Sequence, residues 1–347
     1  MSNRKTNIRL PTAPPAGFKP LSASNADLLK HGLPPRPNSK SCPQLYAVWH
    51  RILSQPLTFV PARPVPLQPN ELVGRIPIHA QAVTKSSKEK IHTNQIWSGA
   101  VNNTLPSGYK FTYVTGSWAV PQAYPQNWAW NGSTWSTSAE KDSNEFKSGT
   151  WVGIDGYTSH DVLQAGTAQR CTVNSDGSLK HVTYPWFEWY PDPPKRLEGF
   201  DVRPGESVTV QVAPVHVLPN EPTIEGLVFF YNESNCTYTS VFVDIPDDTT
   251  FVGDSVEWII EGHKPKHAGY PTMSYLGTTF IDDCIAIAEG QSLRDWEEKN
   301  LKDALLLEIV QNGTVLSRGQ KENNKLLGIY SRERTNLKEI VQSSDSE

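Results

Sequence analysis

Short runs of β-branched and aromatic residues, each bounded by turn-forming residues, constrain the fold of this chain more than any other feature. Runs of about 4–8 such residues predict β-strands. The runs lie at residues 113–120, 181–189, 207–213, 225–231, 237–245 and 255–260. The chain also contains 28 prolines and 23 glycines, which favour turns and short strands over long helices. Because two antiparallel sheets packed face to face bury such strands simply, we expect an all-β protein built as an antiparallel β-sandwich.

Two turns and one ambiguous segment refine this expectation. Residues 231–235 lie between two strand runs and predict a hairpin loop, and Asn312-Gly313 predicts a tight hairpin turn. Residues 291–310 contain strong helix formers with a mixed spacing of apolar residues. We expect a short helix or loop over 292–302 and a strand over 304–311.

The first 93 residues differ in composition from the rest. They hold 14 of the 28 prolines and 13 Lys plus Arg against 3 Asp plus Glu, a formal charge of +10 that leaves −14 on the remainder. Residues 1–40 are polar and Pro-rich, which predicts disorder, whereas residues 44–82 are more apolar and could pack on another part of the chain. We therefore divide the chain into a basic, Pro-rich leader (1–93), a β-sandwich (94–331) and a polar C-terminal tail (332–347).

Two interpretations of the leader stay open. It is either a solvated basic tail with a few anchoring strands, or a propeptide that docks on the acidic domain at neutral pH and loosens as carboxylates protonate. Residues 85–90 (KSSKEK) form the obvious exposed place to cut. Nucleic-acid binding is disfavoured because the leader lacks interleaved aromatic platforms.

Four strings within the β-rich region resemble one known family. They are GSWAVP (116–121), WVGIDGYTSHDVLQAG (151–166), YPWFEWYPD (184–192) and VEWIIE (256–261). In order and spacing they resemble the glutamic peptidases, or eqolisins, over about residues 95–330. The resemblance implies a concanavalin-like jelly roll with a catalytic dyad on its concave sheet. It also implies an acid-active endopeptidase that is secreted and made with a leader.

Gln164 and Glu257 are the candidate catalytic residues. A carboxylate can take a proton from water and return it to the leaving amine, and a neutral amide can donate a hydrogen bond to the oxyanion. Glutamate has an unperturbed pKa of about 4.3, so such a pair suits acidic solution. The resemblance assigns the oxyanion donor to Gln164 and the general base to Glu257. Glu261 shares the strand parity of Glu257, and Glu257 is preferred because the family string matches there.

The resemblance places Trp151, Asp155, Glu188 and Tyr190 around the dyad, where they orient it or line the substrate cleft. The competing interpretation is that the aromatic residues belong to the sandwich core. Cofactor and metal sites are not expected. His263 and His267 are four residues apart, but Pro265 between them disfavours a helical metal site.

Cellular location is a point of conflict. The N-terminal residues contain no apolar stretch of the roughly 7–15 residues found in a secretory signal, and no stretch of about 20 apolar residues predicts a membrane span. The four cysteines form neither a metal pattern nor the family's disulfide positions, which predicts free thiols and a reducing compartment. The chain is therefore intracellular by default, although the resemblance implies secretion. N-glycosylation triplets begin at Asn102, Asn131, Asn232, Asn235 and Asn312.

The leading hypothesis is a monomeric glutamic endopeptidase that acts on polypeptides. A non-catalytic or carbohydrate-binding jelly roll, or a repurposed intracellular homologue that retains the fold, is the alternative. A glycoside hydrolase needs two carboxylates flanking a sugar cleft, and the paired-acid string of such jelly rolls is missing from the chain.

Overall fold

A computed structural model of the protein describes residues 8–67, 84–85, 91–126, 128–130, 135–137, 144–215, 225–262, 273–292 and 295–331. Strands dominate these residues. In chain order they are β1 Ile8–Arg9, β2 Thr58–Phe59, β3 Arg63–Pro66, β4 Thr84–Lys85, β5 Ile91–Asn94, β6 Trp97–Asn102, β7 Lys110–Ala119, β8 Trp128–Trp130, β9 Trp135–Thr137, β10 Glu145–Ile154, β11 Val162–Val173, β12 Leu179–Tyr190, β13 Lys195–Glu198, β14 Ser207–Val215, β15 Glu225–Asn232, β16 Thr237–Asp244, β17 Val256–Gly262, β18 Thr278–Glu289, β19 Trp296–Asn300, β20 Leu305–Gln311, β21 Thr314–Lys321 and β22 Leu327–Ser331. The helices are α1 Asn25–Lys30 and α2 Pro43–Leu53, with single 3-10 turns at Pro20–Ser22 and Leu301–Asp303.

The strands form two antiparallel layers. The front sheet has the order β3–β13–β12–β11–β10–β17–β6–β20. The back sheet has the order β16–β15–β14–β7–β18–β22–β21. The β20–β21 hairpin joins the layers, and its turn residues Asn312 and Gly313 have φ of 50° and 74°, as a tight hairpin requires. The expected antiparallel β-sandwich and this turn are confirmed.

Alternation along each strand separates two apolar faces of the front sheet. Val152, Ile154 and Leu163 point into the sandwich core between the sheets. Their neighbours one residue away point to the opposite face, because successive strand side chains alternate. There they form a second cluster, which we call the front-face cluster: Leu67, Ile96, Trp97, Val101, Trp151, Ala168, Tyr184, Trp186, Ile259 and Leu307.

All six expected strand runs are strands, and the chain turns between β15 and β16 where the hairpin loop was expected. The ambiguous segment is partly different. Leu305–Gln311 is the expected strand, but Trp296–Asn300 is a strand rather than a helix or loop. It pairs with the edge of β18, and this tertiary pairing overrides a local helix preference, which is a weak bias.

The leader is structured over residues 8–67, which differs from the disorder expected for residues 1–40. The reason is burial, since Leu28 and Leu33 are almost fully enclosed. Helix α2 buries Leu45, Trp49 and Ile52 against the outer face of the back sheet. The boundaries of the leader and its removal stay predictions, and residues 86–90 of the expected cutting site lie outside the described residues.

All four cysteines are free thiols, as expected, and Cys42, Cys171 and Cys284 are buried. No helix among the described residues is both long and apolar enough to cross a membrane.

The glycosylation triplets are in different environments. Asn102 and Asn232 are buried, while Asn235 and Asn312 are exposed. Asn131 lies outside the described residues.

Candidate active site

A single cross-strand row on the front sheet carries both candidate catalytic residues. Gly153 of the central strand β10 lies opposite Gln164 of β11 on one side and opposite Glu257 of β17 on the other. Directly opposed residues in antiparallel strands point to the same face, so Gln164 and Glu257 project together from the front face. Their Cα atoms are two strand spacings apart, about 10 Å.

Gly153 contributes no side chain between Gln164 and Glu257. A Cβ atom at this position would lie 2.9 Å from Cζ3 of Trp151 and 3.3 Å from Cβ of Gln164. The indole of Trp151, in the next row of the same face, therefore packs against the backbone that separates Gln164 from Glu257. A residue larger than glycine would displace one of these side chains.

Glu257 is completely buried. Burial raises the pKa of its carboxyl well above the usual value, and the charges of Asp155 and Asp254 add to this, while Ser255 opposes it. Neither carboxyl oxygen accepts a hydrogen bond of good geometry from the described residues. Burial therefore favours the protonated, neutral form of Glu257.

Gln164 is held by a second acid. Its Nε2 donates to Oε2 of Glu188 at 2.8 Å, and Glu188 is the cross-strand partner of Gln164 on β12. Both side chains are at most 3% exposed. An amide nitrogen has two hydrogens, so this bond fixes the orientation of the amide and leaves one N–H for another acceptor.

Asp155 lies just beyond β10 with φ of 72°, and its carboxylate faces a turn. It accepts hydrogen bonds from the backbone N–H of Val252, Gly253 and Asp254 at 3.2, 2.9 and 2.8 Å. Burial and the neighbouring Asp161 raise the pKa of Asp155 to about 8, against the effect of the Gly253 and Asp254 N–H groups. Asp155 thus ties the end of β10 to the turn that leads into Glu257.

The other predicted site residues lie in different parts of the site. Trp151 is buried beside Gly153, and Tyr190 lies at the partly exposed end of β12, one row beyond Glu188 on the same face. The front face therefore brings Gln164, Glu257, Glu188 and Trp151 together, with Tyr190 at its rim, while the carboxylate of Asp155 is engaged elsewhere.

Sequence reasoning did not find two further polar contacts of this face. Oε1 and Oε2 of Glu261 accept hydrogen bonds from Nε1 of Trp97 and Nε1 of Trp151 at 3.0 and 3.1 Å. The parity of Glu261 with Glu257 was evident from the sequence. The involvement of Trp97 was not, because it depends on the pairing of β6 with β17, two segments far apart in the chain.

Among the described residues, no three His, Cys, Asp or Glu side chains are grouped so that they could hold a metal ion. His263 and His267 lie outside the described residues. The chemistry that this face offers is that of three carboxyl groups, Glu188, Glu257 and Glu261, and an amide, which can transfer protons and donate hydrogen bonds.

Comparison with known proteins agrees with this chemistry. The model of the Peptidase A4 family matches residues 95–329. The chain belongs to this family. As a member it is a glutamic endopeptidase, and its substrates are polypeptides.

Individual relatives share 25% or less of their aligned residues with this chain. Aspergillopepsin-2 of Aspergillus niger is 25% identical over 226 residues, which cover 64% of this chain and 72% of that protein. A crystal structure of scytalido-glutamic peptidase with a peptide-based transition state analogue has a TM-score of 0.49 and 18% identity, and covers 69% of this chain and 98% of that one. The crystal structure of aspergilloglutamic peptidase from Aspergillus niger has a TM-score of 0.43 and 20% identity, and covers 54% of this chain and 99% of that one.

Proposed function

We propose that Gln164 and Glu257 hydrolyse the peptide bond as a dyad. The observation that carries the proposal is the row Gln164, Gly153, Glu257, in which an amide and a carboxyl project from the same face on either side of a glycine. A peptidase must activate water, stabilise the oxyanion and protonate the leaving amine. One carboxylate and one amide donor are sufficient for these three tasks.

In the proposed reaction, the Glu257 carboxylate takes a proton from water as the water oxygen attacks the carbonyl carbon. The N–H of Gln164 donates to the oxyanion that forms. The carbon–nitrogen bond then breaks, and the Glu257 carboxyl returns its proton to the leaving nitrogen. The products are a carboxylic acid and an amine, and Glu257 is a carboxylate again.

The buried form is then a resting form. A protonated Glu257 cannot accept a proton, and burial is the main reason why its pKa is raised. Access of water and substrate to the front face lowers that pKa toward the usual value of about 4.3. Glu257 can act as a base in acidic solution only after this change.

The neighbouring residues have supporting roles in this proposal. Glu188 positions Gln164 through the 2.8 Å hydrogen bond, so that the second N–H points at the oxyanion. Trp151 and Tyr190 line the cleft for the substrate. The contacts of Asp155 favour a positioning role at the turn before Glu257 over direct contact with the substrate.

The test is digestion of a denatured protein at pH 2–5, with the fragments identified by mass spectrometry. We expect Glu257→Gln and Gln164→Ala each to lower hydrolysis at least ~100-fold, the scale of losing proton transfer or an oxyanion donor. Glu297→Gln and Gln320→Ala, at exposed positions of β19 and β21, are the matched controls. A folded Glu257 or Gln164 variant with normal turnover would remove that residue from the dyad.

A further inference from the structure

Glu261 joins two tryptophans from different strands. Its two carboxyl oxygens accept separate hydrogen bonds from the indoles of Trp97 on β6 and Trp151 on β10. The two indoles meet edge to face, with ring centroids 4.9 Å apart and an interplanar angle of 78°. All three side chains are at most 2% exposed, so water does not compete for these bonds.

Glu261 is too far from the dyad to act directly. It lies four residues from Glu257 on the same strand, a separation of about 13 Å. Trp151 occupies the row between them, and its ring packs against Gly153 between Gln164 and Glu257. Any influence of Glu261 on the reacting groups must therefore pass through Trp151.

We propose that Glu261 is a positioning residue: its carboxylate holds the Trp151 indole against the Trp97 indole and against the backbone between Gln164 and Glu257, and its protonation releases one of the two indoles. The proposal rests on the dyad of Gln164 and Glu257 for its consequence in catalysis. The holding of the indoles stands on the hydrogen bonds alone.

The reason for the release is the number of acceptors. An ionised carboxylate accepts at both oxygens, whereas a protonated carboxyl has one oxygen that donates. A hydroxyl oxygen is a much weaker acceptor than a carboxylate oxygen, so the protonated form holds one of the two indoles only weakly. Burial raises the pKa of Glu261 to about 7, while the two indole donors lower it. Both indoles are therefore held when Glu261 is ionised, above about pH 7, and one is released as the pH falls below that value.

The same face carries other titratable and charged groups. On β10, Glu145 and Lys147 pair at 2.8 Å, and Glu145 also pairs with Arg170 on β11; Glu257 lies on β17, and Tyr184, Glu188 and Tyr190 lie on β12; Tyr157 and His92 share a 2.6 Å contact. Strand β6 contributes none. Histidine titrates in the same pH range as the raised Glu261, so His92 needs its own control.

The first test follows the indole N–H resonances of the full chain labelled with ¹⁵N-tryptophan, between pH 5 and 9. Trp97→Phe and Trp151→Phe assign the two resonances. We expect both to shift together with a midpoint near pH 7, to keep doing so in His92→Gln, and to lose the transition in Glu261→Gln. Resonances that do not change with pH, or a transition that survives in Glu261→Gln, would overturn the proposal.

The second test measures kcat and KM at pH 4. Glu261→Ala removes both acceptors and is expected to lower kcat at least ~10-fold, since small displacements of catalytic groups have effects of this size. Glu261→Gln keeps one acceptor oxygen. Its kcat is expected to be at least fivefold higher than that of Glu261→Ala. Trp49→Ala in α2, which is destabilising but remote from this face, should keep kcat in its folded fraction. A folded Glu261→Ala variant with the wild-type kcat would refute the positioning role.

The two tests separate this proposal from the dyad. If Glu257→Gln stays active, the dyad is wrong, and the resonances still report whether Glu261 holds the indoles. If Glu257→Gln is inactive and the pH dependence of the indole resonances is the same with and without Glu261, only the positioning role is wrong.

Discussion

At the scale of single residues, Gly153 lies between the two residues of the proposed dyad. Gln164 and Glu257 are 93 positions apart in the chain, and they face each other only because β10 pairs with β11 on one edge and with β17 on the other. The resemblance predicted both residues. It did not predict the glycine between them, because cross-strand pairing is not a local property of the sequence.

We expect Gly153→Ala to lower kcat/KM by about 10- to 100-fold, since its methyl group would meet the Trp151 ring at 2.9 Å and shift the dyad. The measurement is peptide hydrolysis at acidic pH. Gly226→Ala is the matched control, because its methyl group would meet Leu163 at 2.7 Å in the sandwich core, away from the front face. The control should lose stability and keep its activity. Equal activity losses in both variants would mean that the effect is only overpacking.

At the scale of elements, helix α2 shows how an apparent tail becomes part of the fold. Its sequence begins with Pro43, which suits the first helical turn, and the carboxylate of Glu298 on β19 accepts the N–H of Leu45 at 2.9 Å. Trp49 is 1% exposed, and its Nε1 donates to the carbonyl of Pro34 at 2.9 Å. The sequence showed that residues 44–82 are apolar enough to pack on another part of the chain, but it showed neither the helix nor the surface that the helix covers.

We expect Trp49→Ala to lower the free energy of unfolding by about 3–5 kcal/mol, the usual cost of truncating a buried tryptophan. Urea denaturation of the full chain measures this value. Leu21→Ala, in the same leader but 38% exposed, should change it by less than about 0.5 kcal/mol. A small effect of Trp49→Ala would mean that the leader does not contribute to global stability.

At the scale of the whole molecule, the leader is attached by two kinds of contact. Arg9, Arg51 and Arg63 form ion pairs with Glu225, Asp283 and Glu198, and these arginine side chains are 48%, 48% and 77% exposed. Eight leader side chains are also buried against the back sheet: Leu28, Leu33, Cys42, Leu45, Val48, Trp49, Ile52 and Leu53. Exposed ion pairs contribute about 0–1 kcal/mol, whereas a buried aliphatic or aromatic side chain contributes about 1.5–3 kcal/mol.

Apolar burial therefore dominates the attachment of the leader to the back sheet. Leu67, the last described residue before residue 84, belongs to the front-face cluster. The leader therefore contacts the front sheet as well as the back sheet. Shielding of the candidate site by the leader remains a prediction.

We expect the leader to stay bound after the chain is cut within residues 85–90. Limited digestion with a lysine-specific protease, followed by gel filtration at pH 4 and in 1 M salt, should give co-elution of the N-terminal fragment with the remainder. The triple variant Arg9→Ala, Arg51→Ala, Arg63→Ala should behave in the same way, and Trp49→Ala should weaken the association. Dissociation of the wild-type fragment in salt would restore the electrostatic interpretation.

The sequence by itself determined the class of fold, the six main strands, the tight turn at Asn312-Gly313 and the free state of the thiols. These features follow from local patterns, since alternation, turn residues and cysteine spacing act over a few positions. The family strings also predicted Gln164 and Glu257 as the candidate catalytic pair. Only the tertiary structure decided that Gly153 separates them, that Glu188 holds Gln164 and that Glu261 holds two tryptophans. It also decided that α2 covers the back sheet and that 296–300 is a strand. Each of these depends on contacts between distant segments, and their burial supplies the free energy that local preferences lack.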